Sequence, residues 1–183
     1  MEHTRAVPAL YGVMAEFDDP TALVNAARRT YDEGYRVFDS YSPFPIHETF
    51  DAMHLEDRRV PGLVLAGGIA GLFTGLALQG WVSAVAYPLN IGGKPYLSWP
   101  MFVPVTFELT ILFAAFAAVF GMFILNGLPM PYHPVFNVAR FAEHASQDGF
   151  FLAIESTDPK FNHAATRAFL QGLGAREIND VAH

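Results

Sequence analysis

Among the residues of this chain that could ligate a haem iron or a transition metal, the histidines come first, because the sequence contains no cysteine. Without thiolates the chain cannot form a disulfide, a thiolate zinc site, an iron–sulfur site or a Cys-x-x-Cys-His haem attachment. All the histidines lie outside the two membrane spans predicted below, so no pair can bind haem within a bilayer. We expect surface or helix-capping roles for them, and no metal or cofactor site: His3, His47, His54, His133, His144, His163 and His183.

Catalytic chemistry has equally little support in the sequence. No nucleophile, base and orienting partner are spaced to suggest a site, so no catalytic residue is predicted and the chain is not expected to be an enzyme on its own. The single ionisable group inside an apolar stretch is Glu108. An ionisable group within a membrane span is costly unless it is paired or hydrated.

Two interpretations of Glu108 are open. If its helix starts near Pro104, the carboxylate lies about one turn in, near the membrane interface and the positive end of the helix dipole. Alternatively, Glu108 serves a proton relay or contacts a partner, which would require a polar neighbour such as Thr106 or Thr110.

The elements that carry Glu108 are two long apolar passes. Residues 60–93 carry no charge, and after Lys94 the chain carries only Glu108 as far as residue 139. Each pass holds about 20 apolar residues, enough for a helix to cross a hydrocarbon layer of roughly 30 Å. The sequence predicts a transmembrane hairpin over 60–132, with spans at about 61–87 and 102–126 and an outer loop over 88–101.

Three glycines mark one face of the first span. Gly67, Gly71 and Gly75 recur at every fourth residue, which leaves one helix face without side chains and lets another helix approach closely. We therefore predict a helix-packing role for these glycines, either against the second span or against a helix of another protein.

The segment before the hairpin, residues 1–59, is predicted to hold a strand, a helix and a strand. The strands cover 9–17 and 35–41. Asp19 is a suitable cap, Pro20 fits the first helical position, and Gly34 ends the helix. A short helix is expected to follow, on the way to the first span.

The segment after the hairpin, residues 133–183, repeats this pattern. It has a short connecting helix over 138–147, a strand over 150–155, Asp158 and Pro159 as cap and first helical residue, and a strand over 175–179. Two βαβ units in one sheet give a split ferredoxin-like domain. The predicted fold class is α+β, with a cytoplasmic domain interrupted by the hairpin.

Charge indicates the partners and the orientation. The formal net charge of −7, with no cluster of basic residues, argues against nucleic acid. Arg58, Arg59 and Arg140 flank the hairpin, whereas its loop carries only Lys94. The positive-inside rule then predicts a multi-pass protein of the bacterial inner membrane with both termini in the cytoplasm, and the first residues are not expected to form a signal peptide.

Five runs of the sequence are long and unusual enough to be specific: LYGVMAEFDDP, YPLNIGGKP, SWPMFVPVTFELTILFA, NGLPMPYHPVFN and RAFLQGLGARE. They closely resemble the D-type membrane subunit of bacterial alternative complex III, a quinol-oxidising respiratory assembly. The resemblance implies a small subunit without cofactors, beside multihaem cytochrome c, iron–sulfur and quinol-binding membrane subunits. It implies no catalytic residues in this chain.

The leading functional hypothesis is therefore a non-catalytic structural or assembly subunit of a quinol-oxidising electron-transfer complex. The alternative is a membrane-tethered ligand-binding or sensor module, which a pocket with convergent polar groups in the soluble domain would favour.

Overall fold

The computed structural model describes residues 10–183 and shows a mixed α/β protein with a four-stranded antiparallel sheet and two long apolar helices. The strands are β1 (Leu10–Phe17), β2 (Phe38–Tyr41), β3 (Phe150–Glu155) and β4 (Glu177–Ala182). The α-helices are α1 (Pro20–Glu33), α2 (His47–Ala52), α3 (Arg59–Trp81), α4 (Trp99–Leu125), α5 (Ala139–His144) and α6 (His163–Gly172). The described residues form two compact units, one of residues 57–130 and one of residues 10–56 with 131–183. His3, for which a surface role is expected, lies outside the described residues.

The predicted helix α1 is confirmed at both ends. Asp19 caps it by accepting a hydrogen bond from the backbone N–H of Ala22 at 2.8 Å, and Pro20 occupies the first turn, where a missing N–H costs nothing. Gly34 ends it in the left-handed conformation with φ of 107°, which glycine adopts without a steric penalty.

The sheet has the strand order β2-β3-β1-β4. Its central pair, β1 and β3, places Val13 opposite Ile154. The predicted strand over 150–155 is confirmed, and so is the first strand over its described part, since residue 9 lies outside the described residues. The other two differ: β2 starts at Phe38 rather than 35, and β4 covers 177–182 rather than 175–179.

Both faces of the sheet are buried. On one face, side chains of the strands pack with α1 and α6, around Val13, Ala15, Phe17, Leu23, Ala27, Leu152, Ile154 and Leu170. On the other face they pack with α5 and the preceding 3₁₀ turn (Pro134–Asn137), around Met14, Val135, Val138, Phe141, Phe151, Ala153 and Val181. The segments before and after residues 57–130 thus share these two cores.

The prediction that Asp158 caps α6 is wrong. The helix starts at His163, and its cap is Asn162, whose side chain accepts from the N–H of Ala165 at 3.1 Å. Asp158 Oδ2 instead accepts from the backbone N–H groups of Arg36 at 2.6 Å and Val37 at 2.7 Å. These N–H groups are therefore not available to a neighbouring strand, which explains why β2 begins only at Phe38.

Residues 57–130 contain the two candidate membrane helices, α3 continued by a π-helical turn (Val82–Ala86), and α4. In the most apolar segment of each helix, few residues are buried within the chain: 11% in the first helix and 6% in the second. The core helix of a soluble protein would be mostly buried. At 1.5 Å per residue, the 27 residues of α4 extend for about 40 Å, enough for a hydrocarbon layer of roughly 30 Å.

Candidate functional site

The glycine face of α3 lies directly against α4. A Cβ atom placed on Gly71 would overlap the carbonyl oxygen of Leu109, and one on Gly67 would lie 2.6 Å from Ala117 Cβ. At Gly75 it would lie 2.8 Å from Thr106 Cα. All three distances are too short for a real side chain, so the two backbones touch along the spacing that the sequence singled out.

A polar link joins the same two helices at their loop end. The side-chain amide Nε2 of Gln79 donates to Thr106 Oγ1 at 3.0 Å, and lies 3.0 Å from the carbonyl oxygens of Phe102 and Gly75. Thr106 is 5% exposed, so this bond is shielded from the surroundings of the hairpin. An amide in hydrocarbon is costly without partners, and here α4 supplies two of them.

Sequence reasoning did not identify Gln79. The signal was present, because Gln79 continues the every-fourth-residue series of Gly67, Gly71 and Gly75 and therefore lies on the same helix face. A polar residue that continues a small-residue series in an apolar stretch indicates an interhelical hydrogen bond.

The first interpretation of Glu108 required this residue to lie about one turn into its helix. In the structure it lies further from the start of the helix. The helix begins at Trp99, with Pro104 inside it, so Glu108 is nine residues from the start, about 13.5 Å along the axis at helical rise. The influence of a helix dipole falls off within the first turn. The expected stabilisation by the dipole is therefore absent, and the condition of that interpretation, a helix that starts near Pro104, is not met.

The polar neighbours proposed for Glu108 bond elsewhere. Thr106 accepts from Gln79, and Thr110 Oγ1 donates to the carbonyl of Thr106 at 2.7 Å. Glu108 itself is exposed and lies across the helix from these contacts with α3. Within residues 10–183, no hydrogen bond or ion pair joins it to another residue.

In the unit of residues 10–56 and 131–183, the most buried charge is neutralised by an ion pair between β1 and α5. The Glu16 side chain is 4% exposed and accepts two hydrogen bonds from Arg140, at 2.8 and 2.9 Å. The bond to Glu16 raises the pKa of Arg140. Arg140 also lies 2.8 Å from His144, which bonds to Asp148 at 2.7 Å. This chain of contacts fixes α5 on the sheet.

Two further acidic residues, Asp39 and Glu155, lie on the same face of the sheet as Glu16, at the other end of the strands. Tyr11 Oη donates to Glu155 Oε1 at 2.8 Å, and Thr157 donates to the other oxygen at 2.8 Å. Burial raises the pKa of Asp39, and the charge of Glu155 raises it further. Among residues 10–183, however, no group of three or more His, Asp or Glu side chains could hold a metal ion.

Surface depressions bear on the ligand-binding alternative. One of about 410 Å³ is lined mainly by polar residues, including Arg140, Glu143 and Asp180. Arg140 is occupied by Glu16, and Asp180 bonds to His163 at 3.1 Å and to Arg167 at 2.8 Å. Two of the charges that could recognise a ligand are thus already neutralised within the chain.

A comparison with known protein families identifies the family of the chain. The model of the family "Alternative complex III, ActD subunit" matches residues 11–180. The chain belongs to this family. The resemblance noted in the sequence is therefore confirmed, and the family is a subunit of an oxidoreductase complex of the respiratory chain. Membership of the ActD family and the two candidate membrane helices both favour a membrane location. No curated protein matches the chain significantly.

Proposed function

We propose that this chain is a non-catalytic structural or assembly subunit of its quinol-oxidising complex. The observation that carries the proposal is the form of the hairpin: α3 and α4 use one face each for mutual packing and leave their other faces exposed. A subunit of a multisubunit complex can place those faces against neighbouring helices or lipid. The proposal includes no cofactor and no catalytic residue in this chain.

The proposed topology is two passes through the bacterial inner membrane, with both termini in the cytoplasm. Arg58, Arg59 and Arg140 on one side and Lys94 in the loop support this orientation. The domain organisation that we propose is a cytoplasmic domain of residues 1–59 and 133–183, interrupted by the hairpin over 60–132.

A split ferredoxin-like sandwich is the fold that we propose for this cytoplasmic domain. Its support is the strand order β2-β3-β1-β4, together with one core that includes both α1 and α6. In a ferredoxin-like fold, two βαβ units interleave their strands in one antiparallel sheet and place both helices on one face. The fold by itself implies no particular function.

The proposed partners are the multihaem cytochrome c, iron–sulfur and quinol-binding membrane subunits of the complex, and the lipid bilayer. The glycines Gly67, Gly71 and Gly75 serve helix packing in this proposal. Glu108 serves as a partner contact or part of a proton relay.

Purification of the tagged full-length chain in mild detergent tests the proposal. We expect it to co-purify with haem-containing and iron–sulfur subunits in fixed stoichiometry, identified by mass spectrometry and by the optical spectrum. The matched controls are the same tag on an unrelated two-span protein and the untagged strain. Recovery of the chain as a lone stable monomer would contradict the proposal.

The alternative is a membrane-tethered ligand-binding or sensor module, for which the depression beside Arg140 is the specific observation. Small-molecule binding to the purified chain, with loss of binding in Glu143→Gln, which changes a lining residue outside the Arg140–Glu16 ion pair, would favour it over the assembly role.

A further inference from the structure

The carboxylate of Glu108 has no means of stabilisation within the hairpin. Trp99 and Tyr96 mark the loop end of α4, where aromatic side chains favour the membrane interface. Glu108 lies about 13.5 Å further along the axis, too far for its short side chain to reach that interface. It is exposed on the side of α4 away from α3, where only lipid or another protein can meet it.

The face around Glu108 is suitable for a further helix. Ile111, Ala115 and Val119 follow Glu108 at intervals of three, seven and eleven residues, so they share its face, and all three are exposed. Ala115 is small, and small residues let helix backbones approach closely in membranes. We call Glu108, Ile111, Ala115 and Val119 the outer face of α4.

We propose that the outer face of α4 packs against a membrane helix of another subunit that presents a Lys or Arg side chain to Glu108. This inference rests on the proposed function, which supplies the neighbouring subunits. An ionised carboxylate is too costly to leave facing lipid at the membrane interior, and a cation at hydrogen-bond distance is the partner that offsets the loss of hydration most completely.

The charges of the chain support a partner from outside. In residues 60–139 the only cation is Lys94, which lies in the loop between α3 and α4. The polar side chains Thr106, Thr110 and Gln79 bond to one another or to backbone on the opposite side of α4. The outer face thus presents an acceptor and no donor, and the missing donor belongs to the neighbouring subunit.

Substitution of Glu108 in the tagged full-length chain tests this ion pair. Glu108→Gln keeps the size of the side chain but removes its charge, leaving the partner's cation buried and unpaired, so we expect recovery of haem-containing subunits to fall by about tenfold or more. Glu108→Asp keeps the charge and should retain most of the complex. Membrane levels of all variants, measured by immunoblot, separate failed association from failed insertion.

The outcomes separate this inference from the proposed function. If the unsubstituted chain fails to co-purify with other subunits, the proposed function fails. If the unsubstituted chain and Glu108→Gln recover equal amounts of complex, the proposed function stands and the ion pair is refuted.

Photo-crosslinking identifies what covers the outer face. A benzophenone amino acid at Ala115 should crosslink to one other subunit in intact membranes, and that crosslink should disappear when Glu108→Gln is added. The matched control is Leu65 on α3, which is 66% exposed and whose crosslinking should not respond to Glu108→Gln. Crosslinks from Ala115 to lipid alone, or to a subunit irrespective of Glu108→Gln, would overturn the proposal.

Discussion

Gln79 Nε2 and Thr106 Oγ1 lie 3.0 Å apart and join the two candidate membrane helices by a side-chain hydrogen bond. One turn away, Gly75 lies so close to Thr106 that a Cβ atom would be 2.8 Å from the Thr106 Cα. A specific hydrogen bond and a close backbone contact therefore coincide. Together they fix how far α3 can slide along α4, because a shift of one residue would break both.

The hydrogen bond of Gln79 should stabilise the hairpin modestly. We expect Gln79→Leu to lower the free energy of unfolding of the full-length chain by about 0.5–1.5 kcal/mol, the range for interhelical hydrogen bonds in membranes. Helicity during a denaturing-detergent titration measures the effect. Thr74→Val is the matched control, because Thr74 bonds only to Ala70 of its own helix. Equal effects of the two substitutions would show that the link to α4 adds nothing.

A disulfide can test the register of α3 against α4, because the chain has no cysteine of its own. A Cβ on Gly68 would lie 3.8 Å from Ala114 Cβ, close to the mean separation in disulfides. We expect Gly68→Cys with Ala114→Cys to crosslink on mild oxidation, as seen by a mobility shift on non-reducing gels. Gly68→Cys with Ala115→Cys should not crosslink, and the reverse pattern would refute the register.

The glycine face should be intolerant of bulk. Gly71→Leu forces a side chain against the carbonyl of Leu109, and overpacking of this kind costs about 1–3 kcal/mol or more. We expect a several-fold loss of assembled complex, measured by haem recovered with the tagged chain. Gly62→Leu is the matched control in the same helix, because nothing lies within 4 Å of its Cβ position. Leu72→Ala controls for general tolerance of α3, and equal yields from all three would make the glycine face incidental.

Asp158 should stabilise the unit of residues 10–56 and 131–183, and its effect should depend on pH. Burial raises the pKa of Asp158, but hydrogen bonds from the backbone N–H groups of Arg36, Val37 and Lys160 outweigh it, so the net pKa lies below the ordinary value of 3.8. A depressed pKa contributes stability that is present above the unfolded value and is lost as pH falls through the folded one. Asp158→Ala should cost about 2 kcal/mol at pH 7, because three partly buried backbone N–H donors lose their acceptor.

The measurement for Asp158 is thermal unfolding of the full-length chain in detergent, followed by circular dichroism from pH 7 downwards. The difference between the unsubstituted chain and Asp158→Ala should shrink below about pH 4. Asp18→Ala is the control. The Asp18 side chain is 72% exposed, and its ion pair with Arg176 is long, with 3.8 Å between nitrogen and oxygen. A difference that stays constant with pH would rule out the charge of Asp158 as its cause.

Capping and stop residues in the sequence predicted the helix whose ends depend only on neighbouring residues. Asp19, Pro20 and Gly34 act within α1 itself, and that helix has the predicted bounds. The same Asp-Pro pattern at Asp158 did not mark a helix start. The carboxylate of Asp158 instead binds the backbone N–H groups of Arg36 and Val37, which come from a distant part of the chain. A tertiary contact of this kind leaves no local signal in the sequence.

The hairpin shows the same limit. The glycine series could be recognised from its spacing, whereas the bond from Gln79 to Thr106 depends on how α3 and α4 are aligned. One interpretation of Glu108 rested on a helix that starts near Pro104, because proline can serve as a first helical residue. The helix instead begins at Trp99. The missing N–H of Pro104 would bond only to the carbonyl of Pro100, in the first turn of α4, so the helix accommodates Pro104 in its interior.

Deletion of this subunit from the native organism, with quantification of the complex that remains, tests the central claim most directly. An assembly role predicts that the amount of complex, measured as haem per membrane protein, falls several-fold, while quinol oxidation per haem in the remaining complex stays near the wild-type value. Expression of the unsubstituted chain from a plasmid should restore the amount. A complex that assembles fully without this subunit, but no longer oxidises quinol, would contradict the account and give the chain a direct part in catalysis.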